Sequence, residues 1–197
     1  MKIYDISQEL FGCAVFPGDI LPERKVIASI GDDSVCNLTG LTMCAHNGTH
    51  VDAPYHFYND GIAIDKIPLE KFVGKCYVTS FEGAMGADDA EKIIEKAQSA
   101  DPEAAKRILV SGDMYVTAEA AKVFARERLF LYGNESQTVG PMEAPAQVHY
   151  EMLAAEIVLL EGIRLKGIEE GVYLLNAAPI NLGGADGAPC RALLMEL

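Results

Sequence analysis

His46-Asn47-Gly48-Thr49-His50-Val51-Asp52-Ala53-Pro54-Tyr55-His56 contains three of the four histidines in a chain of 197 residues. His46 and His50 stand four apart, as two zinc ligands on a helix would, but Gly48, Thr49 and Pro54 all oppose a helix here. An extended segment is expected instead. With a side-chain period of two, the even-numbered His46, His50, Asp52 and His56 project toward one side, and His50 and Asp52 become same-face neighbours. Imidazole nitrogen with carboxylate oxygen is a ligand set for zinc or manganese, and a neutral histidine can bind through one ring nitrogen while a partner holds the other. Packing such groups together without a counter-ion is costly, so the cluster predicts a divalent metal. Gly48 lets the backbone approach closely, and Pro54 stiffens the segment that aims His56.

Outward from this stretch, the fourth histidine, His149, falls in a candidate helix over Gln147 to Glu156, and Glu161 ends the apolar strand that follows. A carboxylate at the end of a buried strand needs a partner. The twelve-residue separation lets helix and strand pack back to back and bring both side chains to one place. Together the six ligand-type residues predict up to two adjacent metal sites.

The remainder of the chain reads as one α/β unit, residues 1–197. Lys2 to Ile6, Glu23 to Ile30 and Asn37 to Met43 are β-prone, broken by turn chemistry at Pro17-Gly18-Asp19 and Gly31-Asp32-Asp33. Further strands are expected at Cys76 to Phe81, Arg107 to Val110, Leu129 to Tyr132, Ile157 to Leu160 and Val172 to Leu175. Between them, Asp88 to Gln98 places Ile93, Ile94 and Ala97 on one helical face, and Thr117 to Arg126 does the same for Ala121, Phe124 and Ala125, with Thr117 as N-cap. Arg191 is expected to form an ion pair that holds the C-terminal strand. Gly183 to Gly187 lacks the Lys-Ser/Thr ending of a phosphate loop and reads as a turn near the site. Asn134 to Thr138 is a polar run that suits either a surface loop or part of a substrate pocket or dimer contact.

Sixteen basic against 29 acidic residues, a formal charge of −13, repel nucleic acid and acidic membrane surfaces. The apolar runs are too short to cross a bilayer, and Asp5 and Glu9 interrupt any signal-peptide layout, so a cytoplasmic protein is expected. Five widely spaced cysteines with no CxxC pair suggest neither disulfides nor a thiolate zinc site; most read as small buried apolar residues. There is no tryptophan, which leaves Tyr55, Phe57, Tyr58, Tyr115 and Tyr132 as candidate pocket aromatics.

The string His46-x-Gly48-Thr49-His50-x-Asp52-x-Pro54-x-His56 resembles the signature of the cyclase family of metal-dependent hydrolases, which includes bacterial kynurenine formamidases and isatin hydrolases. The similarity extends to Asp5-Ile6-Ser7, Pro17-Gly18-Asp19, Asp60-Gly61, Asp65, His149, Leu160-Glu161-Gly162 and Asp186-Gly187-Ala188-Pro189-Cys190-Arg191. The resemblance implies a swivelling β/β/α fold assembled as a homodimer or higher oligomer. It also implies one metal at His46, His50 and Asp52, a second at Asp52, His149 and Glu161, with Asp52 bridging, and His56 as the proton-transferring histidine.

Such a site activates water at neutral pH, polarises an amide carbonyl, and uses His56 to carry a proton to the departing nitrogen. The expected function is hydrolysis of a small amide or formamide, N-formylkynurenine or a related compound. The alternatives are ring opening of a cyclic amide or lactone, and a metal-binding protein without catalysis, against which the intact His56 speaks.

Overall fold

Strict alternation of side chains governs the middle of the molecule. A computed structural model describes residues 1–31 and 34–197. Its strands are β1 (Ile3–Asp5), β2 (Glu23–Ala28), β3 (Leu38–Thr42), β4 (His50–Asp52), β5 (Val73–Ser80), β6 (Gly83–Met85), β7 (Arg107–Ser111), β8 (Met114–Val116), β9 (Leu131–Asn134), β10 (Val158–Glu161), β11 (Gly171–Asn176), β12 (Gly187–Pro189) and β13 (Leu193–Met195), and its helices are α1 (Ala87–Ala100), α2 (Ala118–Glu127) and α3 (Ala146–Ala154). Nine strands form one sheet in the order β1-β13-β11-β5-β7-β9-β10-β4-β12. The central four, β5, β7, β9 and β10, run parallel, and the flanking pairs are antiparallel. This is the mixed α/β architecture expected from the sequence.

Successive residues on a strand face opposite sides. Ile108, Val110, Tyr132 and Leu159 accordingly join the apolar faces of the three helices in one core, while their neighbours Leu109, Leu131, Val158 and Leu160 enter a second core on the other side of the sheet. That second core combines Leu175 and Leu194 from one flank with Val51 and Ala188 from the other. Pro189 of β12 and Leu193 of β13 are four positions apart, so at most about 14 Å of chain joins strands near opposite ends of the order. The sheet therefore curls on itself.

Helix α1 buries Ala90, Ile93, Ile94 and Ala97, the face read from the sequence. The Thr117 hydroxyl accepts from Ala120 N at 3.3 Å and caps α2 as expected. The strand expected from Leu129 starts two residues later, because Arg128 ends α2 in the left-handed region (φ 54) and the chain must first turn back. Arg191 donates twice to Asp5 Oδ2, at 2.9 and 2.6 Å, tying β1 to the start of β13. Of the five cysteines only Cys76 is buried; Cys13, Cys44 and Cys190 are half-buried and Cys36 is exposed. The expectation that most are core residues is corrected, because four of them lie on loops outside the central strands.

β2 and β3 stand apart from the main sheet as a two-stranded hairpin. Val26, Ile27, Leu38 and Leu41 on it are 62, 56, 49 and 57% exposed. The turn expected at Gly31-Asp32-Asp33 falls, at Asp32 and Asp33, outside the described residues. Among the described residues no helix is long and apolar enough to cross a membrane.

Candidate active site

Strand β4 is only three residues long and wholly buried, because it lies between β10 and β12. The antiparallel register sets Glu161 directly opposite His50, and directly opposed residues share a face. His50 Nε2 is 3.3 Å from Glu161 Oε2 and 3.4 Å from Asp52 Oδ1. On the other side Gly187 faces Asp52. A Cβ at Gly187 would come within 2.7 Å of the His46 ring, so the glycine makes room for that imidazole.

The even-numbered residues of the motif do converge, but extended backbone carries only His50 and Asp52. His46 sits on the preceding loop, turned inward by Gly48 at φ +68, a left-handed conformation that favours glycine. His56 ends a 3₁₀ turn that Pro54 opens. Helix α3 supplies His149, whose Nε2 is 3.2 Å from Glu161 Oε1 and 3.6 Å from Asp52 Oδ2.

Backbone carbonyls orient two of the rings. His50 Nδ1 donates to Gly48 O and His149 Nδ1 to Pro145 O, each at 3.0 Å, which leaves both Nε2 atoms facing the carboxylates. His46 bridges two acids, with Nδ1 2.8 Å from Asp52 Oδ1 and Nε2 2.9 Å from Asp186 Oδ2. Asp186 also accepts from His56 Nδ1 at 3.0 Å, and the His46 and His56 rings stack with centroids 4.2 Å apart. Asp186 lies 130 residues from His56 in the sequence, and only folding joins it to the two histidines.

Burial opposes charge on these imidazoles, yet the carboxylates outweigh it. Burial notwithstanding, hydrogen bonds to Asp186 and Asp52 push His46 up to about 11, and Glu161 and Asp52 push His149 up to about 9. Asp52 is held well below the usual carboxylate range, against its own burial, by His46 and then by His50 and His56. Without another cation, protons on histidine balance the buried carboxylates.

A metal fits this donor set. His46, His50 and Asp52 present one group of ligand atoms lying within 4.8 Å of one another, and Asp52, His149 and Glu161 present a second that shares Asp52. Asp52 Oδ2 is buried with no hydrogen-bond partner. Such an orphan costs roughly 1–3 kcal/mol, which a cation on that oxygen offsets. Among the described residues the buried side-chain polar atoms without a partner belong to Asn47, Asp52, Asn134, Gln137 and Thr138, all on the two segments that enclose the site.

His46, His50, His56, His149 and Glu161 line a cavity of about 230 Å³. Phe16 and Phe57 are its aromatic walls, and Asp19, Gln137, Thr138 and Pro145 complete it. Phe57 stacks on His149 with centroids 4.8 Å apart. Of the polar run Asn134 to Thr138, Gln137 and Thr138 thus reach the pocket rather than a surface loop. Among the candidate aromatics only Phe57 lines it; Tyr132 is buried in the helix-side core, and Tyr55 and Tyr115 are exposed. Phe16 was not anticipated, since its position beside Pro17-Gly18-Asp19 suggested only a turn.

The Cyclase family model matches residues 4–169, most of the chain and all of the cluster except Asp186. The chain belongs to the Cyclase family. A kynurenine formamidase of Erythrobacter litoralis is 30% identical over all of this chain and 94% of its own length, and one of Sphingopyxis alaskensis is 30% identical over all of this chain and 99% of its own. Among solved structures, a protein described as a potential metal-dependent hydrolase with cyclase activity superposes with a TM-score of 0.81 at 26% identity, covering 98% of this chain and 96% of that one. Isatin hydrolase A of Labrenzia aggregata shares the fold at a TM-score of 0.81 and 20% identity, over 98% of this chain and 93% of its own. The curled sheet and three helices are those of Cyclase-family structures.

Proposed function

We propose that this Cyclase-family protein is a metal-dependent hydrolase of small amides or formamides. The observation that carries the proposal is the buried convergence of His46, His50, His149 and Glu161 on Asp52, whose Oδ2 has no hydrogen-bond partner among the described residues. Relatives named kynurenine formamidase across the full length of the chain support the reaction class.

His46, His50 and Asp52 would hold one divalent ion, zinc or manganese, and Asp52, His149 and Glu161 a second. His46 Nε2 is committed to Asp186, so Nδ1 is the nitrogen left on the Asp52 side. A divalent ion in such a set supplies Lewis acidity, polarising a carbonyl and acidifying water. His56 belongs to neither of these two groups, although it forms a third, more exposed set with His46 and Asp186. Its Nδ1 donates to Asp186, which fixes the ring and leaves Nε2 to take a proton from the attacking water and deliver it to the departing nitrogen. Phe16 and Phe57 shield the reacting groups from bulk water.

Assembly into a homodimer or higher oligomer belongs to the same reading. It is supported by the apolar side chains that the β2–β3 hairpin leaves exposed, since a lone two-stranded hairpin is marginally stable in water. Elemental analysis of the purified protein, paired with assays on formyl anilides and cyclic amides, tests the function. A folded preparation that takes up no divalent metal at near-micromolar concentration overturns it.

A further inference from the structure

Beside the two buried ligand groups the chain assembles a third. His46, His56 and Asp186 each bring one ligand atom to within 4.8 Å of the others. Asp186 Oδ2 lies 2.9 Å from His46 Nε2 and 3.0 Å from His56 Nδ1, so two ring nitrogens converge on a single carboxylate oxygen. A zinc ion 2.0–2.2 Å from nitrogen and oxygen ligands in tetrahedral array spaces those ligands roughly 3.3–3.5 Å apart. Opening this set by about half an ångström admits one, and the ion takes the place of the protons that otherwise bridge the three atoms.

The set is also the accessible part of the cluster. Side-chain exposure is 12% at His46, 29% at His56 and 40% at Asp186, against 1% at His50 and at Asp52. Solvent can therefore complete the coordination of an ion held here. The backbone fixes the carboxylate, since Ala53 N donates to Asp186 O and Ile64 N to Ala185 O, each at 2.9 Å. A formal charge of −13 draws cations toward the protein.

We propose that His46 Nε2, His56 Nδ1 and Asp186 Oδ2 form a further divalent-cation site, and that an ion bound there switches off His56. Buried ions do not block it. With an inner ion on Nδ1, His46 carries its proton on Nε2; the outer ion takes that nitrogen as the proton passes to solvent, and the ring bridges the two ions. At His56 the outer ion takes Nδ1. The neutral ring then carries its single proton on Nε2, the nitrogen that must accept one from the attacking water. The base is lost while the buried ligands stay in place. This rests on the hydrolase reading and adds inhibition by excess metal to it.

Protein carrying its buried zinc is titrated with further zinc chloride in a calorimeter, and kcat on formanilide is followed over the same concentrations. One additional equivalent per chain should bind, more weakly than the buried ions, and kcat should fall by about tenfold or more as it does. In His56→Ala and Asp186→Asn, elemental analysis should find the buried zinc retained, while affinity for the additional equivalent falls by about tenfold or more. Should Asp186→Asn lose buried zinc, His56→Ala alone decides. No additional equivalent, or one that the variants bind as tightly as the unaltered protein, overturns the site. An additional equivalent that leaves kcat unchanged overturns the switch. If the unaltered protein turns over neither formyl anilides nor cyclic amides, the hydrolase reading fails and the switch with it, and the calorimetric comparison still decides the site.

Discussion

At the scale of single residues, the histidines of the motif divide by what their second nitrogen touches. His50 is oriented by the carbonyl of Gly48 and turned toward Asp52 and Glu161, so His50→Ala should lose metal as well as activity, measured by elemental analysis of the purified variant. His56 is oriented by Asp186 and lies outside both ligand groups. His56→Ala should therefore keep its metal and lose roughly a hundredfold or more in kcat, the effect of removing a general acid or base. A fully active His56→Ala would refute the proton-transfer role. Gly48→Ala forces an alanine into a left-handed conformation and sets its Cβ 3.3 Å from that of Cys13. It should cost about 1–3 kcal/mol in denaturant titration and loosen both His50 and Gln137, which share the Gly48 carbonyl.

At the scale of elements, the hairpin and the short strand β4 show opposite relations between length and burial. β4 is three residues long and fully buried, whereas β2 is six residues long and almost wholly exposed. A strand is legible in sequence where both of its faces are buried and it reads as a continuous apolar run, as in β7 and β10. Strand character is not legible in β6, β8 and β12, three residues each, because it comes from pairing partners distant in sequence. The hairpin's exposed Val26 and Leu41 predict an interface between copies. If the protein assembles through this hairpin, replacing both with serine should lower the mass measured by light scattering while leaving the far-ultraviolet circular dichroism spectrum intact; an unchanged mass would overturn the hairpin interface.

At the scale of the whole molecule, the candidate active site joins parts of the chain that the curled sheet alone brings together. It draws on the loop before β4, on β4 itself, on the 3₁₀ turn after it, on α3, on the end of β10 and on the bend before β12. Metal that binds only the folded arrangement stabilises it by mass action. Chelation followed by readdition at about a hundred times Kd should move Tm by roughly 5–10 °C in a chain of this size, as read by scanning calorimetry. Among the described residues no lysine or arginine lines the cavity. A substrate carboxylate there would meet the carboxylates Asp19 and Glu161 rather than a guanidinium. We therefore expect measurable turnover of small neutral formamides and poor kcat/KM on N-formylkynurenine, a zwitterion whose ammonium can meet Asp19 but whose carboxylate finds no cation on the cavity wall. Steady-state kinetics on both compounds checks this, and a value near 10⁵ M⁻¹s⁻¹ on N-formylkynurenine would show that the missing cation does not matter.

The sequence by itself determined what depends on residue type and short-range spacing. It placed α1 and α2 through their 3.6-residue apolar faces, the long central strands through their apolar runs, and the chemical identity of the cluster through His46, His50, Asp52 and His56. His149 and Glu161 were legible as a pair because helix α3 and strand β10 are consecutive and pack back on each other. Tertiary structure alone decided the rest. The curl of the sheet brought Asp186 to His46 and His56, the register of β4 against β10 set Glu161 opposite His50, and the close of the β9–β10 region turned Gln137 and Thr138 to the cavity. The physical reason is range. Propensity and periodicity act over a few residues, whereas strand register and the pairing of buried polar atoms are settled only when distant segments must share one interior.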